Sequence, residues 1–153
     1  MNELLSFNDP YNTFRAFTHE DMKELKEIES KTPHLFGYVY FLEYGNLLKI
    51  GYTKTPYKRI RTLKRQGEGY ADKKIGRVAL TPMCTNYVKI EKDLHKLFKD
   101  NRKEETELFN IDFRDAVTKA MGANLNFLDE SEEIKKHQEA AFQFVKGFIT
   151  GGH

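Results

Sequence analysis

Phe36-Gly37-Tyr38-Val39-Tyr40-Phe41-Leu42-Glu43-Tyr44-Gly45-Asn46-Leu47-Leu48-Lys49-Ile50-Gly51-Tyr52-Thr53 holds two runs rich in β-branched and aromatic residues. Tyr44-Gly45-Asn46 separates them, and apolar runs broken by a Gly-Asn pair predict a β-hairpin. Downstream, Thr55-Pro56 has the form of an N-cap followed by proline at the first helical position. It opens a helix from Pro56 to about Gln66, with Tyr57, Ile60 and Leu63 near one face. Gly67-Glu68-Gly69 breaks that helix, and Lys74 to Leu80 reads as a third strand stopped by Pro82.

Upstream, Phe7, Tyr11, Phe14 and Phe17 sit without period among Asn, Asp and Pro10, which indicates a docked arm. Thr18 and Asp21 mark a helix start, and Met22, Leu25 and Ile28 carry the helix to about Lys31. Beyond the third strand, Thr85 or Asn86 caps a helix to about Asp100, on which Tyr87, Ile90, Leu94, Leu97 and Phe98 follow helical spacing. Glu107 to Ile111 is a short strand-like run, and Asp112 caps a helix closed by Gly122. A last helix, Ser131 to about Ile149, has an apolar stripe wide enough to need the domain or a partner protein to cover it. The elements make a mixed α+β fold, a small central three-stranded antiparallel sheet flanked by helices. One compact domain is expected: an arm and helix over 1–35, a core over 36–113 and a helical extension over 114–153.

Composition narrows the function. With 12 Phe and 8 Tyr in 153 residues, the chain has the aromatic mass to fold in spite of 31% charged residues. No stretch approaches the roughly 20 apolar residues of a membrane span, and the residues after Met1 lack the pattern of a signal peptide. Cys84 is the only cysteine, so no internal disulfide forms and a reducing, cytoplasmic setting is expected. The net charge of +2 conceals a strong asymmetry: residues 49–77 hold ten Lys or Arg against two acidic residues. Such a block favours a polyanion. Lys54, Lys58, Arg61, Lys64, Arg65, Lys73, Lys74 and Arg77 are therefore the candidate nucleic-acid contacts.

Glycine-rich nucleotide loops, His-Glu-x-x-His and paired Cys-x-x-Cys are all absent. What remains is a constellation: Tyr38 and Tyr40 on the first strand, Lys49 on the second, Arg59 on the next helix, Glu91 and His95 on a later one, and Glu107. A phenol, a guanidinium and a carboxylate able to hold a hard cation are the parts of a phosphodiester hydrolase. Glu91 and His95, four apart, also read as partners across one helical turn.

The order of these segments resembles the GIY-YIG nuclease superfamily, in its phage-type branch. Gly37-Tyr38-Val39-Tyr40 resembles the first motif, and Lys49-Ile50-Gly51 the second with Lys in place of tyrosine. Pro56-Tyr57-Lys58-Arg59 is similar to the segment carrying the catalytic arginine, and Glu91 to Phe98 to the helix with its Leu-His pair. Arg102 to Phe109 resembles the closing element, in which Glu107 is the metal-binding carboxylate. The resemblance implies a DNA endonuclease using one Mg²⁺ or Mn²⁺ on Glu107, in a bacterial or phage-infected cell. Tyr38, Tyr40, Lys49, Arg59, His95 and Glu107 are its implied catalytic residues. Tyr40 is expected to relay the proton of the attacking water, its phenol lowered below ~10 by a nearby ammonium and the cation. Two other functions use the same residues differently: a non-catalytic DNA-binding module, or a factor that binds a second copy or another protein through the C-terminal helix.

Overall fold

The computed structural model describes residues 5–6, 13–15, 19–68 and 75–129. The elements run β1 (Leu5–Ser6), β2 (Thr13–Arg15), α1 (His19–Ser30), β3 (Tyr38–Tyr44), β4 (Leu47–Thr53), α2 (Pro56–Glu68), β5 (Ile75–Leu80), α3 (Tyr87–Leu97), a 3₁₀ turn (Lys99–Asn101), β6 (Leu108–Phe109) and α4 (Phe113–Gly122). The expected last helix, Ser131 to Ile149, lies outside the described residues, as do Thr18, Lys73 and Lys74.

The hairpin forms as the sequence indicates, with Tyr38 opposite Thr53, Tyr40 opposite Gly51 and Leu42 opposite Lys49. Gly45 turns it at φ 64°, in the left-handed region that glycine enters at no steric cost. The sheet corrects the expectation of three strands. Its body has four, all antiparallel, in the order β5-β3-β4-β6, and the backbones of β1 and β2 continue it past β5. The fourth strand pairs only Leu48 with Phe109 and Lys49 with Leu108. A strand of two residues is too short for period-two alternation, so only its long-range pairing defines it.

β3 lies inside the sheet with both faces covered, which is why it reads as a nearly unbroken apolar run. Tyr38, Tyr40 and Leu42 pack with Leu25 of α1 and with Ile60 and Leu63 of α2. Val39 and Phe41 face the opposite layer, with Ile90 and Leu94 of α3 and Ala116, Val117 and Ala120 of α4. The α4 helix therefore contributes to the same core as the hairpin.

Carboxylates fix two helix starts. Glu29 at the end of α1 accepts from the Lys58 N–H in the first turn of α2, 3.1 Å, where the helix dipole favours an anion. Asp112 caps α4, accepting from the N–H groups of Arg114 (3.1 Å) and Asp115 (3.3 Å). Asp112→Ala should therefore lower stability by about 1 kcal/mol, the usual worth of such a cap, and Asp112→Asn by less. Urea unfolding of the three proteins measures this, and equal midpoints for wild type and Asp112→Ala would show the cap to be idle.

Candidate functional site

β6 covers the outer edge of β4 only at Leu48 and Lys49. The backbone groups of β4 beyond that point still need partners. The Ile50 N–H donates to the Glu107 carbonyl at 2.9 Å. The Ile50 carbonyl accepts from His95 Nε2 at 2.9 Å. The Tyr52 N–H lies close enough to the carboxylate of Glu91 to oppose the rise in its pKa. His95 of α3 thus continues the ladder where β6 ends, with the Glu91 carboxylate against the next N–H, and this places both at the sheet edge.

The structure corrects the pairing of Glu91 with His95: each is turned to the β4 backbone instead. A carbonyl only accepts, so Nε2 of His95 carries the hydrogen. Burial lowers the imidazolium pKa below its usual value, against the opposing pull of the Ile50 bond. His95 is therefore neutral near pH 7, with Nδ1 holding a lone pair, and its ring leans on Phe109 at 5.1 Å. Glu91 is only 9% exposed, and its Oε2 is buried without a hydrogen-bond partner. Burial first, then the charge of Glu107, pushes its carboxyl up to about 7.

On the other face of the sheet, Tyr40 is fully buried with its hydroxyl over Gly51. A Cβ on Gly51 would lie 2.6 Å from Tyr40 Oη and 2.8 Å from Cζ, so only glycine leaves room for the phenol. Arg59 Nε donates to that hydroxyl at 3.3 Å. The expectation of a lowered phenol is overturned: burial raises the Tyr40 pKa, the Arg59 bond opposes this, and the charges of Glu107 and Glu91 add to the rise. The ammonium meant to lower it is engaged elsewhere, since Lys49 Nζ lies 3.4 Å from Glu107 Oε2. Tyr38 shares the face of Tyr40, but its hydroxyl bonds to Thr32 Oγ1 at 2.8 Å, and burial raises its pKa too. Tyr38 is thus turned to the chain after α1 and not to Arg59.

Glu107 joins the two halves. Its charge acts on Tyr40, Arg59, Glu91 and His95 alike. It follows a tight turn in which Glu104 adopts φ 54°, and Arg102 Nε clamps that turn by donating to the Thr106 carbonyl at 2.7 Å. An open cavity of about 510 Å³ lies nearby against Asn101, Arg102 and Lys103; a second, of about 580 Å³, is lined by Glu91, His95, Arg102 and Glu107. Glu91 and Glu107 are the two carboxylates that line this second cavity together, and Glu91 Oε2 is buried and unpartnered. Among the described residues there is no group of three or more His, Cys, Asp or Glu that could hold a metal ion.

Of the basic candidates, Lys54, Lys58, Arg61, Lys64 and Arg65 are exposed. Arg61 lies over the Tyr57 ring at 5.3 Å. Arg77 is not presented to solvent in the same way: it is bidentate to Glu43 at 2.8 and 3.1 Å and stacks over Phe113.

The family model described as the T5orf172 domain matches residues 37–123, which span the hairpin, α2, α3, β6 and α4. The chain belongs to the T5orf172 domain family. This phage-associated family makes a DNA-related role the coarse functional assignment. Comparison with curated proteins and with solved structures gives no match. All the side chains around the β4 edge lie within the T5orf172 match. No helix among the described residues is long and apolar enough to cross a membrane.

Two measurements check this geometry. Glu91 binds its proton up to about pH 7 in the fold and up to about 4.5 when unfolded. The native state therefore holds the extra proton between these values, and the contribution of Glu91 to stability falls as pH rises through about 7. Thermal melts without divalent ions should show this slope, and Glu91→Gln should flatten it; an unchanged slope would place the titration elsewhere. Gly51→Ala should cost about 1–3 kcal/mol by overpacking. In a Tyr40→Phe background the cost should shrink without vanishing, because the ring carbon remains 2.8 Å away. Strict additivity in urea unfolding would mean that the hydroxyl does not abut Gly51.

Proposed function

We propose that this protein is a divalent-cation-dependent DNA endonuclease of the GIY-YIG type, hydrolysing phosphodiester bonds with Mg²⁺ or Mn²⁺. The observation that carries the reading is the meeting of two chemically distinct halves at one strand edge. The hydrogen-bonded Tyr40 and Arg59 stand on one face, the Glu91 carboxylate and neutral His95 on the other, and Glu107 between them. A module that only binds a polyanion has no use for two carboxylates beside it, one of them buried with an oxygen unpartnered.

In this reading Glu107 and Glu91 would hold the cation, which when bound supplies Lewis acidity to a phosphate oxygen and to the leaving oxygen. Arg59 meets the charge that develops on the phosphoryl oxygens. Lys49, now on Glu107, is placed to turn to the phosphate as a compact cation. Tyr40 stays protonated and fully buried, so its role shifts from base to positioning: its oxygen accepts from Arg59 and holds the guanidinium at the site. His95 Nδ1 takes the proton of the attacking water as the new P–O bond forms, and the bond to the leaving oxygen breaks, that oxygen gaining a proton from solvent. The exposed cations of α2 bind the flanking strand.

The test is single-turnover cleavage of supercoiled, linear and single-stranded DNA, with and without Mg²⁺ or Mn²⁺. Nicking or cutting should require the cation. Arg59→Ala should slow it roughly 10²–10³-fold, as for a lost transition-state donor, with little change in affinity, and Tyr40→Phe should slow it less, by releasing that guanidinium. His95→Ala should cost roughly 10²–10⁴-fold. Glu107→Gln should abolish cutting while DNA binding stays equal or tightens, one negative charge having gone. Salt-sensitive DNA binding with no cleavage under any cation would leave a binding module instead.

A further inference from the structure

One exposed aromatic feature beside the site is used neither by the core nor by the proposed chemistry. Tyr52 is 46% exposed although it stands on a strand whose neighbours Gly51 and Thr53 are buried. Its ring lies 5.6 Å from that of Tyr87 at an interplanar angle of 40°. Tyr87 is in turn seated on Gly37, where a Cβ would come within 2.6 to 2.9 Å of three of its ring atoms. Gly37 is itself bridged to Cys84, immediately before α3, by reciprocal backbone bonds of 2.9 and 3.0 Å. The lower ring is thus fixed by backbone, and the upper ring leans on it and faces water.

The position of this pair relative to the site is also fixed. The backbone N–H of Tyr52 lies beside the Glu91 carboxylate and opposes the rise in its pKa. Tyr87 and Glu91 are four residues apart on α3, so they share one side of that helix about one turn apart. Exposed Lys54 follows Tyr52 by two residues, and exposed Lys92 follows Glu91. A rigid, exposed ring with cations beside it is what a nucleic-acid strand meets when a base stacks and its phosphates are neutralised.

We propose that Tyr52, supported by Tyr87, is a stacking platform for an unpaired nucleobase of DNA next to the phosphate held at the β4 edge. The assignment rests on the nuclease reading for the site, and it deepens that reading by naming the substrate class: a strand with at least one base out of the duplex stack. Inside a duplex both faces of a base are covered by its neighbours, so only a single-stranded, frayed or extruded base offers a face to Tyr52.

The experiment uses short DNA oligonucleotides carrying 2-aminopurine, whose fluorescence falls on stacking, with the full-length protein and no divalent cation, so that nothing is cut. Binding is followed by anisotropy of an end label in parallel. Wild type should quench 2-aminopurine in single strands and much less in duplexes. Tyr52→Phe should retain the quench. Tyr52→Ala and Tyr52→Leu should lose it and weaken single-strand binding roughly ten-fold, the scale of one base on an aromatic ring. Thermal melts establish that each variant is folded, and Tyr52→Leu keeps an apolar side chain on Tyr87 if alanine disturbs it. Quenching in Tyr52→Leu equal to that of wild type would overturn the platform while leaving the nuclease reading intact. Absence of any salt-dependent DNA binding by wild type would overturn that reading and the platform with it.

Discussion

The free edge of β4 is the constraint on which the site depends. β6 satisfies β4 for two residues and then turns away, leaving the Ile50 carbonyl and the Tyr52 N–H at a position where burial without a partner is costly. From α3, His95 bonds the carbonyl and the Glu91 carboxylate lies against the N–H. Because the helix must present polar groups inward there, the sheet edge acquires an imidazole and a carboxylate that an ordinary helix-on-sheet contact would exclude. The same geometry that continues a backbone ladder therefore assembles the polar face on which the proposed chemistry rests.

A second consequence is electrostatic. Burial, and then the charge of Glu107, disfavour the charged form of Glu91, and Arg102 and Lys92 offset only part of this. The fold thus retains a buried carboxylate at Glu91 that core stability alone does not call for. Across the sheet, Arg59 and Tyr40 form a pair of the opposite character. Arg59 is held above its usual pKa chiefly by its bond to Tyr40, so the guanidinium stays charged, and the buried phenol stays protonated.

The wider fold serves this edge. β3, covered on both faces, is the fixed reference from which Tyr40 is aimed, and Gly51 opposite provides the space the phenol occupies. α1 anchors the start of α2 through Glu29, which keeps Arg59 in register with Tyr40 while the outer face of α2 remains basic and exposed. Arg59 and the exposed cations thus share α2, a placement that in the proposed reading would hold a strand while one of its phosphates is presented to β4.

The sequence by itself determined the local elements. The hairpin was legible in the Tyr44-Gly45-Asn46 break, α2 in Thr55-Pro56, and α4 in Asp112 and Gly122, because turns, caps and apolar periodicity act over a few residues. Tyr40, Arg59 and Glu107 were legible as a set because each stands in a short segment whose residue types fit one chemistry. Glu91 was misjudged as a partner of His95, although its place in the apolar stripe of Tyr87, Ile90 and Leu94 already marked a carboxylate on a buried face. Only the tertiary structure decided the fourth strand, the state of Tyr40 and the engagement of Lys49 and Arg77. Those depend on desolvation and on contacts across tens of residues: Glu107 lies beside Lys49, and Glu43 beside Arg77, by virtue of sheet order alone. Local spacing sets which side chains share a strand or helix face, while burial and neighbouring charge, which set protonation, exist only once the chain has folded.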